Sequence, residues 1–249
     1  MKKIVVMSGK GGVGKSTVAA NLSFSLSEDG SKVGVFDSDF HGPTIPKMLG
    51  VKGEKLTPDQ DKIEPVSVND HLKVFSMDFL LPNDDSAVIW RGPMKMKMIN
   101  QMLEDVEWDG IDYMIIDLPP GTGDEPLSIA QQIPDIDGVV IVTTPQDVAL
   151  QAVRKSINFA KKLDMKVLGV VENMDSLVCP NCGEEIKLFG KGGGEKMSQD
   201  LDIPYLGSIP IDPEIMKSGE RGISFIKIDS ESTKAFKNIV GKIKDNIGD

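Results

Sequence analysis

The sequence predicts a three-layer α/β fold, in which a mostly parallel central sheet carries helices on both faces. Seven short, nearly continuous apolar runs support this, at 3–7, 32–37, 72–77, 113–117, 138–143, 166–173 and 204–210. Continuous rather than alternating runs are typical of strands covered on both sides. Longer helix-like segments lie between several of them, at 15–28, 94–105 and 151–164. Strands that alternate with helices form a parallel sheet through right-handed crossovers.

Composition limits the class of protein. The chain has 249 residues with no repeat, low-complexity tract or linker, so we expect one domain over 1–249. A formal net charge of -10 argues against broad nucleic-acid binding. No run approaches the roughly 20 apolar residues of a membrane span. Two cysteines are too few for a disulfide scaffold. We therefore expect a cytoplasmic protein with neither nucleic acid nor membrane as a partner.

The segment SGKGGVGKST at 8–17 predicts a phosphate site between the first strand and the first helix. It fits the P-loop pattern at every defined position, so a glycine-rich turn that binds nothing is disfavoured. In such a loop the backbone N–H groups cradle phosphates, Lys15 reaches the β- and γ-phosphates, and the Ser16 hydroxyl ligates Mg²⁺. The expected nucleotide contacts are Gly9, Lys10, Gly11, Gly12, Val13, Gly14, Lys15, Ser16 and Thr17. With this motif, the predicted three-layer α/β fold is that of a P-loop NTPase.

Three aspartates follow apolar runs at the predicted carboxyl ends of strands. Asp37 and Asp39 end the second run, and Asp117 ends the run at 113–117. Ligands of open parallel sheets bind outside these ends. A lone aspartate there would more often cap a helix or turn, but an intact P-loop upstream favours a role in phosphoryl transfer.

Lys10, directly after Gly9, adds a second lysine to the P-loop. The form K-G-G-V-G-K-[ST] resembles the deviant Walker A motif of the family that includes MinD, ParA, the nitrogenase iron protein and the arsenical-pump ATPases. This resemblance implies that Lys10 reaches a partner's phosphates in a nucleotide-sandwich homodimer. It also implies that Asp39 positions the attacking water, and that Asp37 and Asp117 serve the Mg²⁺ ion. The expected catalytic residues are Lys10, Lys15 and Asp39.

The same resemblance implies which residues contact the base. Asn173 ends the run at 166–173, and Pro210 and Asp212 lie in the segment IPIDPEI at 209–215. These residues would surround an adenine. No N-K-x-D guanine signature is present, so we expect ATP rather than GTP.

Both cysteines, Cys179 and Cys182, lie in the segment SLVCPNCGEEI at 176–186. A C-P-x-C-G knuckle directs two thiolates toward one metal, whereas zinc and iron-sulfur sites take four protein ligands. The two histidines, His41 and His71, are far away in sequence. The simplest complete site is formed by two chains that meet about a two-fold axis. Thiolates suit both iron-sulfur clusters and zinc, so a dimer-bridging structural zinc stays open.

An ordered set of motifs makes the resemblance closer. SGKGGVGKST, DSDFHGPTIP, WRGPMKMKMI, DLPPGTGDEPL, TTPQDVAL, VVENMDSLVCPNCG, FGKGGGEKM and LGSIPIDPEI occur in this order. Together they resemble the Mrp/ApbC family of P-loop iron-sulfur cluster carriers over nearly the whole chain. This implies a homodimer whose paired C-x-x-C turns hold a 4Fe-4S cluster, which is passed to apo-proteins under the control of ATP.

Two other functions stay open at this stage. A MinD- or ParA-like positioning ATPase would use the amphipathic C-terminal segment at 232–249 on membranes, although acids and asparagine dilute its basic face. A zinc-bridged targeting chaperone would carry a hydrophobic helical insert, and the sequence has none. The C-x-x-C turn argues against the first function.

Overall fold

The computed structural model describes residues 1–39, 42–56, 58–59, 62–80, 99–100, 103–179, 181–190 and 192–249. The strands are β1 (Lys2–Ser8), β2 (Val33–Asp37), β3 (Pro58–Asp59), β4 (Lys62–Ile63), β5 (Val66–Asn69), β6 (Leu72–Ser76), β7 (Tyr113–Asp117), β8 (Gly138–Thr143), β9 (Val167–Val178), β10 (Glu185–Ile186) and β11 (Tyr205–Ile211). The α-helices are α1 (Lys15–Glu28), α2 (Ile45–Met48), α3 (Asp124–Gln132), α4 (Asp147–Lys162), α5 (Gly193–Asp200), α6 (Pro213–Arg221) and α7 (Glu231–Ile247). Most of the helix predicted at 94–105 lies outside the described residues, as does His41.

The central sheet confirms the predicted fold class. Within the described ranges nine strands form one sheet, in the order β10-β9-β8-β1-β7-β2-β6-β5, with β11 also paired to β9. All seven predicted strands belong to it, and they pair with one another in parallel. The sequence did not predict β5 and β10, which pair antiparallel with β6 and β9. Both are short edge strands without a continuous apolar run.

Two hydrophobic cores cover the two faces of the sheet. Along β1, Ile4 and Val6 face one core, whereas Val5 and Met7 face the other. Helices α1 and α7 contribute to the first core, and helices α3 and α4 contribute to the second. Because successive strand residues point to opposite faces, a strand between two cores needs apolar residues at every position. This explains why the runs are continuous.

The strand register brings the candidate site residues to one edge. Asp37 lies opposite Asp117 across β2 and β7, and opposite Ser76 across β2 and β6. Asp117 also pairs with Val6 of β1, two residues before the P-loop segment begins at Ser8. The carboxyl ends of three adjacent strands therefore meet beside the loop between β1 and α1.

The C-terminal helix α7 packs on the domain rather than projecting from it. Its buried apolar side chains belong to the core that α1 also lines, and they are Phe236, Ile239, Val240, Ile243 and Ile247. Phe236 also meets Phe225 edge to face, with ring centroids 5.3 Å apart. Across the described ranges, no helix combines the length and the apolar character that a membrane crossing requires.

Candidate nucleotide and metal site

The loop between β1 and α1 adopts a conformation that its glycines permit. Gly12 and Gly14 have φ angles of 79° and 87°, in the left-handed region that side chains with a Cβ avoid. Gly14 is the residue from which α1 starts. A Cβ at this position would lie 2.1 Å from Nδ2 of Asn173, so a close approach also demands glycine here. The helix N-terminus therefore faces the space beyond the strand ends, as an anion site requires.

Lys15 is held by an internal carboxylate. Its Nζ donates to Oδ1 of Asp117 at 2.7 Å, and the Ser16 hydroxyl donates to Oδ2 of the same carboxylate at 2.6 Å. The side chain of Lys15 is 7% exposed and that of Asp117 is fully buried. The structure thus brings together two predicted P-loop residues and the predicted metal carboxylate.

Asp37 forms the second buried carboxylate of the site. Its Oδ2 accepts a hydrogen bond of 3.1 Å from the Ser76 hydroxyl, and its Oδ1 accepts one of 3.2 Å from the Asp39 backbone N–H. Burial and the neighbouring Asp117 carboxylate raise the pKa of Asp37 to about 8, against the opposing effect of Lys15. Burial likewise raises the pKa of Asp117, although Lys15 and Ser16 oppose the change.

These residues fit a hard divalent cation. Ser16, Asp37 and Asp117 offer hydroxyl and carboxylate oxygens, which are the ligands that Mg²⁺ prefers. Two buried carboxylates lie near one lysine, and burial is the main cause of their raised pKa values. A cation beside the two carboxylates would stabilise their charged forms. The half-buried Asp39 lies close enough for its charge to raise the pKa of Asp117 as well.

Lys10 contacts the start of α4 rather than the buried ion pair. Its Nζ donates to Oε1 of Gln146 at 2.9 Å, directly before α4 begins at Asp147. Lys10 is only partly buried, as is Gln146. Within one chain its ammonium group therefore lies toward α4, rather than at Asp117 with that of Lys15.

An open groove of about 720 Å³ adjoins α1 beside the P-loop. All three predicted base contacts line it, since Asn173, Pro210 and Asp212 lie along its wall with Thr17 of the P-loop. The sequence did not predict several other apolar residues of its walls, which include Met48, Met174, Leu188, Phe189 and Met216. A groove with apolar walls and a few polar groups suits a nucleoside base.

Two of the predicted base contacts also have structural partners. Asn173 Nδ2 donates to the backbone oxygen of Val13 at 2.9 Å, which ties β9 to the P-loop. Asp212 caps α6, because its Oδ1 accepts from the backbone N–H of Glu214 at 2.9 Å and its Oδ2 accepts from the Ser232 hydroxyl at 2.9 Å. The segment D-P-E at 212–214 carries the usual signal for such a cap.

The two cysteines lie in a tight turn at the far end of β9. The Cys179 backbone N–H donates to the oxygen of Glu184, and the Gly183 N–H donates to the oxygen of Cys179, both at 2.9 Å. Cys182 is exposed and Cys179 partly so. The backbone N–H groups of Cys182 and Asn181 lower the pKa of the Cys179 thiol. Among the described residues, no group of three or more His, Cys, Asp and Glu side chains could hold a metal.

A second glycine run, FGKGGGEKM at 189–197, begins helix α5. The Glu172 carboxylate of β9 fills the anion position at this helix start, because it accepts hydrogen bonds from the backbone N–H groups of Gly194 and Gly192. Glu172 is buried, and burial raises the pKa of its carboxyl group. Sequence reasoning missed Glu172, since one acid inside an apolar strand gives no signal of its partner.

Comparison with protein families gives one match over nearly the whole chain. Residues 1–244 match the family model described as NUBPL iron-transfer P-loop NTPase. A relative from Saccharolobus solfataricus, named iron-sulfur cluster carrier protein, is 52% identical over 243 residues, which cover 97% of this chain and 82% of the relative. A Methanocaldococcus jannaschii protein of the same name is 48% identical over 245 residues, which cover 98% of this chain and 84% of the relative.

Solved structures are similar across the same span. A nucleotide-binding protein from Archaeoglobus fulgidus, in complex with ADP, is 39% identical and superposes with a TM-score of 0.81 over 94% of this chain and 91% of that protein. The cell division ATPase MinD of Pyrococcus furiosus is 25% identical, with a TM-score of 0.69 over 98% of each chain. These similarities support nucleotide binding and ATPase chemistry in general.

Proposed function

The chain belongs to the NUBPL iron-transfer P-loop NTPase family, and from that premise we propose that it is an ATP-hydrolysing homodimer that carries a 4Fe-4S cluster between its subunits. The cluster is its cargo, which it transfers to apo-proteins. One observation carries the proposal: Cys179 and Cys182 lie in an accessible turn at the end of β9, in a chain whose P-loop is complete.

The cysteine turn explains why we propose a dimer. Each chain supplies two sulfurs, and the described residues supply no larger cluster of metal ligands around them. A thiolate-bound cluster needs four protein ligands. Two copies of the turn across a two-fold axis supply all four, and a symmetric pair is the commonest form of protein dimer. Val178 and Ile186, exposed apolar residues beside the turn, would then be covered by the partner.

The phosphate site supplies the hydrolytic half of the proposal. Lys15 and the amides of the P-loop bind the phosphates, and Ser16, Asp37 and Asp117 would hold Mg²⁺, which would neutralise charge on the phosphate oxygens. Asp39, half-buried and beside the two carboxylates, positions the attacking water. Lys10 serves the partner's phosphates in the closed dimer. Most of the catalysis then comes from positioning and charge neutralisation.

Nucleotide state is proposed to control how firmly the cargo is held. ATP draws the two chains together through Lys10, and hydrolysis releases them. Because the cluster sits between the chains, any change in their approach alters its four-sulfur cage. Loading and transfer are thus coupled to hydrolysis.

Anaerobic reconstitution with iron and sulfide tests the proposal. The readouts are the visible spectrum, the iron and sulfide bound per chain, and the mass of the assembly. We expect a broad absorbance at about 400 nm and about two irons per chain on a dimer. Cys179→Ser and Cys182→Ser should each lose the absorbance while keeping ATP binding. A wild-type protein that refuses iron and keeps about half a zinc per chain would instead have a structural metal bridge.

A further inference from the structure

The turn with the two cysteines is connected to the nucleotide groove at both of its ends. Strand β9 passes the groove at Asn173 and Met174 before it reaches Cys179. After the turn, β10 returns alongside β9, and the chain lines the groove again at Leu188 and Phe189. We call the described residues 177–179 and 181–189 the cysteine hairpin. It starts four residues after Asn173 and ends within the groove wall.

The hairpin is internally bonded, so it can transmit a displacement from one end to the other. Ile186 pairs with Leu177, and Glu185 pairs with Val178. The Cys179 N–H donates to the Glu184 oxygen at 2.9 Å, which closes the turn. A shift of the returning strand therefore moves the backbone that orients both sulfurs.

The two connections between the hairpin and the groove differ in how they are held. Asn173 is fixed by its hydrogen bond to the Val13 oxygen and by its close approach to Gly14. Leu188, in contrast, is 55% exposed in the groove wall. An apolar side chain exposed in a groove beside a P-loop is covered when a base enters that groove. A bound nucleotide would therefore make new contacts with the returning end of the hairpin, at Leu188.

We propose that Leu188 and Phe189 are positioning residues that couple nucleotide binding to the cysteine hairpin. The base packs against them, fixes the returning strand, and so restrains the turn that carries Cys179 and Cys182. This inference rests on the proposed function, because it takes the groove as the base site and the turn as the cargo site. It assigns the coupling between nucleotide and cysteine turn to the groove wall formed by Leu188 and Phe189.

Met216 provides a matched control on the other wall. It also lines the groove and is 63% exposed, but it belongs to α6, which is not part of the hairpin. Leu188→Ala and Met216→Ala each remove a similar apolar contact with the base. We expect each to weaken binding of Mg-ADP by about three- to tenfold. Both side chains are exposed, so neither variant should impair folding.

Hydrogen–deuterium exchange on the full chain, without any cluster, tests the coupling. In the wild type, saturating Mg-ADP should slow exchange of backbone amides across 177–189 by at least about threefold. In Leu188→Ala at saturation this protection should fall clearly below that of the wild type, whereas Met216→Ala should retain it. A second readout is the rate at which an iron chelator removes the reconstituted cluster, whose dependence on nucleotide should follow the same pattern.

Three results would overturn the inference. Full protection in saturated Leu188→Ala, equal loss of protection in Met216→Ala, or no protection in a wild type that binds Mg-ADP would each remove Leu188 from the coupling. All three leave the carrier function intact. A wild type that binds no nucleotide, or that takes up no cluster on reconstitution, would instead fail the proposed function itself.

Discussion

The Lys15 ammonium and the Asp117 carboxylate form a buried ion pair, with Nζ and Oδ1 2.7 Å apart. Both groups are predicted to serve ATP, and within the chain each is the charge partner of the other. Phosphate oxygens would take over Lys15 and free Asp117 for a cation. The pair therefore holds the phosphate-binding lysine in place at the end of β7.

Lys15→Met should abolish ATP binding and also destabilise the protein. Removing one partner of a buried pair leaves an uncompensated charge, so we expect the free energy of unfolding to fall by about 3–5 kcal/mol. Urea unfolding and phosphate release measure the two effects. The double variant Lys15→Met/Asp117→Asn should recover stability but not hydrolysis. Normal hydrolysis by Lys15→Met would remove Lys15 from the phosphate site.

Gly14→Ala should cost more stability than Gly12→Ala, although both positions have positive φ angles. The left-handed backbone alone costs a residue with a Cβ about 1–2 kcal/mol. A Cβ on Gly12 meets nothing within 4 Å, whereas one on Gly14 collides with Asn173. We expect an additional loss of about 1–3 kcal/mol for Gly14→Ala in urea unfolding.

Asn173→Ala supplies the control for this comparison. In the Gly14→Ala background it removes the colliding amide, so part of the additional loss should return, and a double-mutant cycle measures how much. If the losses of stability in Gly14→Ala and Asn173→Ala simply add in the double variant, the collision with the Asn173 side chain is not the cause of the additional loss.

Much of this architecture could be predicted from the sequence, because the parallel strands lie between two cores and so leave continuous apolar runs. The P-loop was predictable from its motif. The aspartates were predictable because they follow apolar runs, and the carboxyl ends of parallel strands lie at one edge of the sheet. Ser76 could not be found, because its role as the hydrogen-bond donor to Asp37 depends on the pairing of β2 with β6. Neither could β10, whose two residues pair only because the cysteine turn closes.

Glu172 should make the folded state less stable as pH rises. Burial raises the pKa of its carboxyl group above the usual value of 4.5. A raised folded pKa gives stability that is complete below the unfolded pKa and is lost as pH rises through the folded pKa. Glu172→Gln mimics the protonated form, so the variant and the wild type should be similar near pH 4.

Urea unfolding at several pH values checks this prediction. Relative to the wild type, Glu172→Gln should gain stability as pH rises from the unfolded pKa to the folded pKa, and the gain should then level off. Glu185→Gln, at an exposed position on β10, controls for the general loss of one negative charge. A constant difference between Glu172→Gln and the wild type across the pH range would contradict the raised pKa.

Lys10→Ala should separate binding from hydrolysis, because we propose that Lys10 acts on the partner's nucleotide. In one chain Lys10 contacts Gln146 and not the buried ion pair, so its loss should leave ATP affinity nearly unchanged. Hydrolysis should fall by at least about 100-fold, as expected for the loss of a charge that stabilises the transition state.

Mixing Lys10→Ala with Asp39→Ala provides the decisive measurement. In a mixed dimer the Lys10→Ala chain keeps Asp39 and receives Lys10 from its partner, so phosphate release should return in part. If the mixture stays inactive while mixed dimers form, Lys10 acts within its own chain.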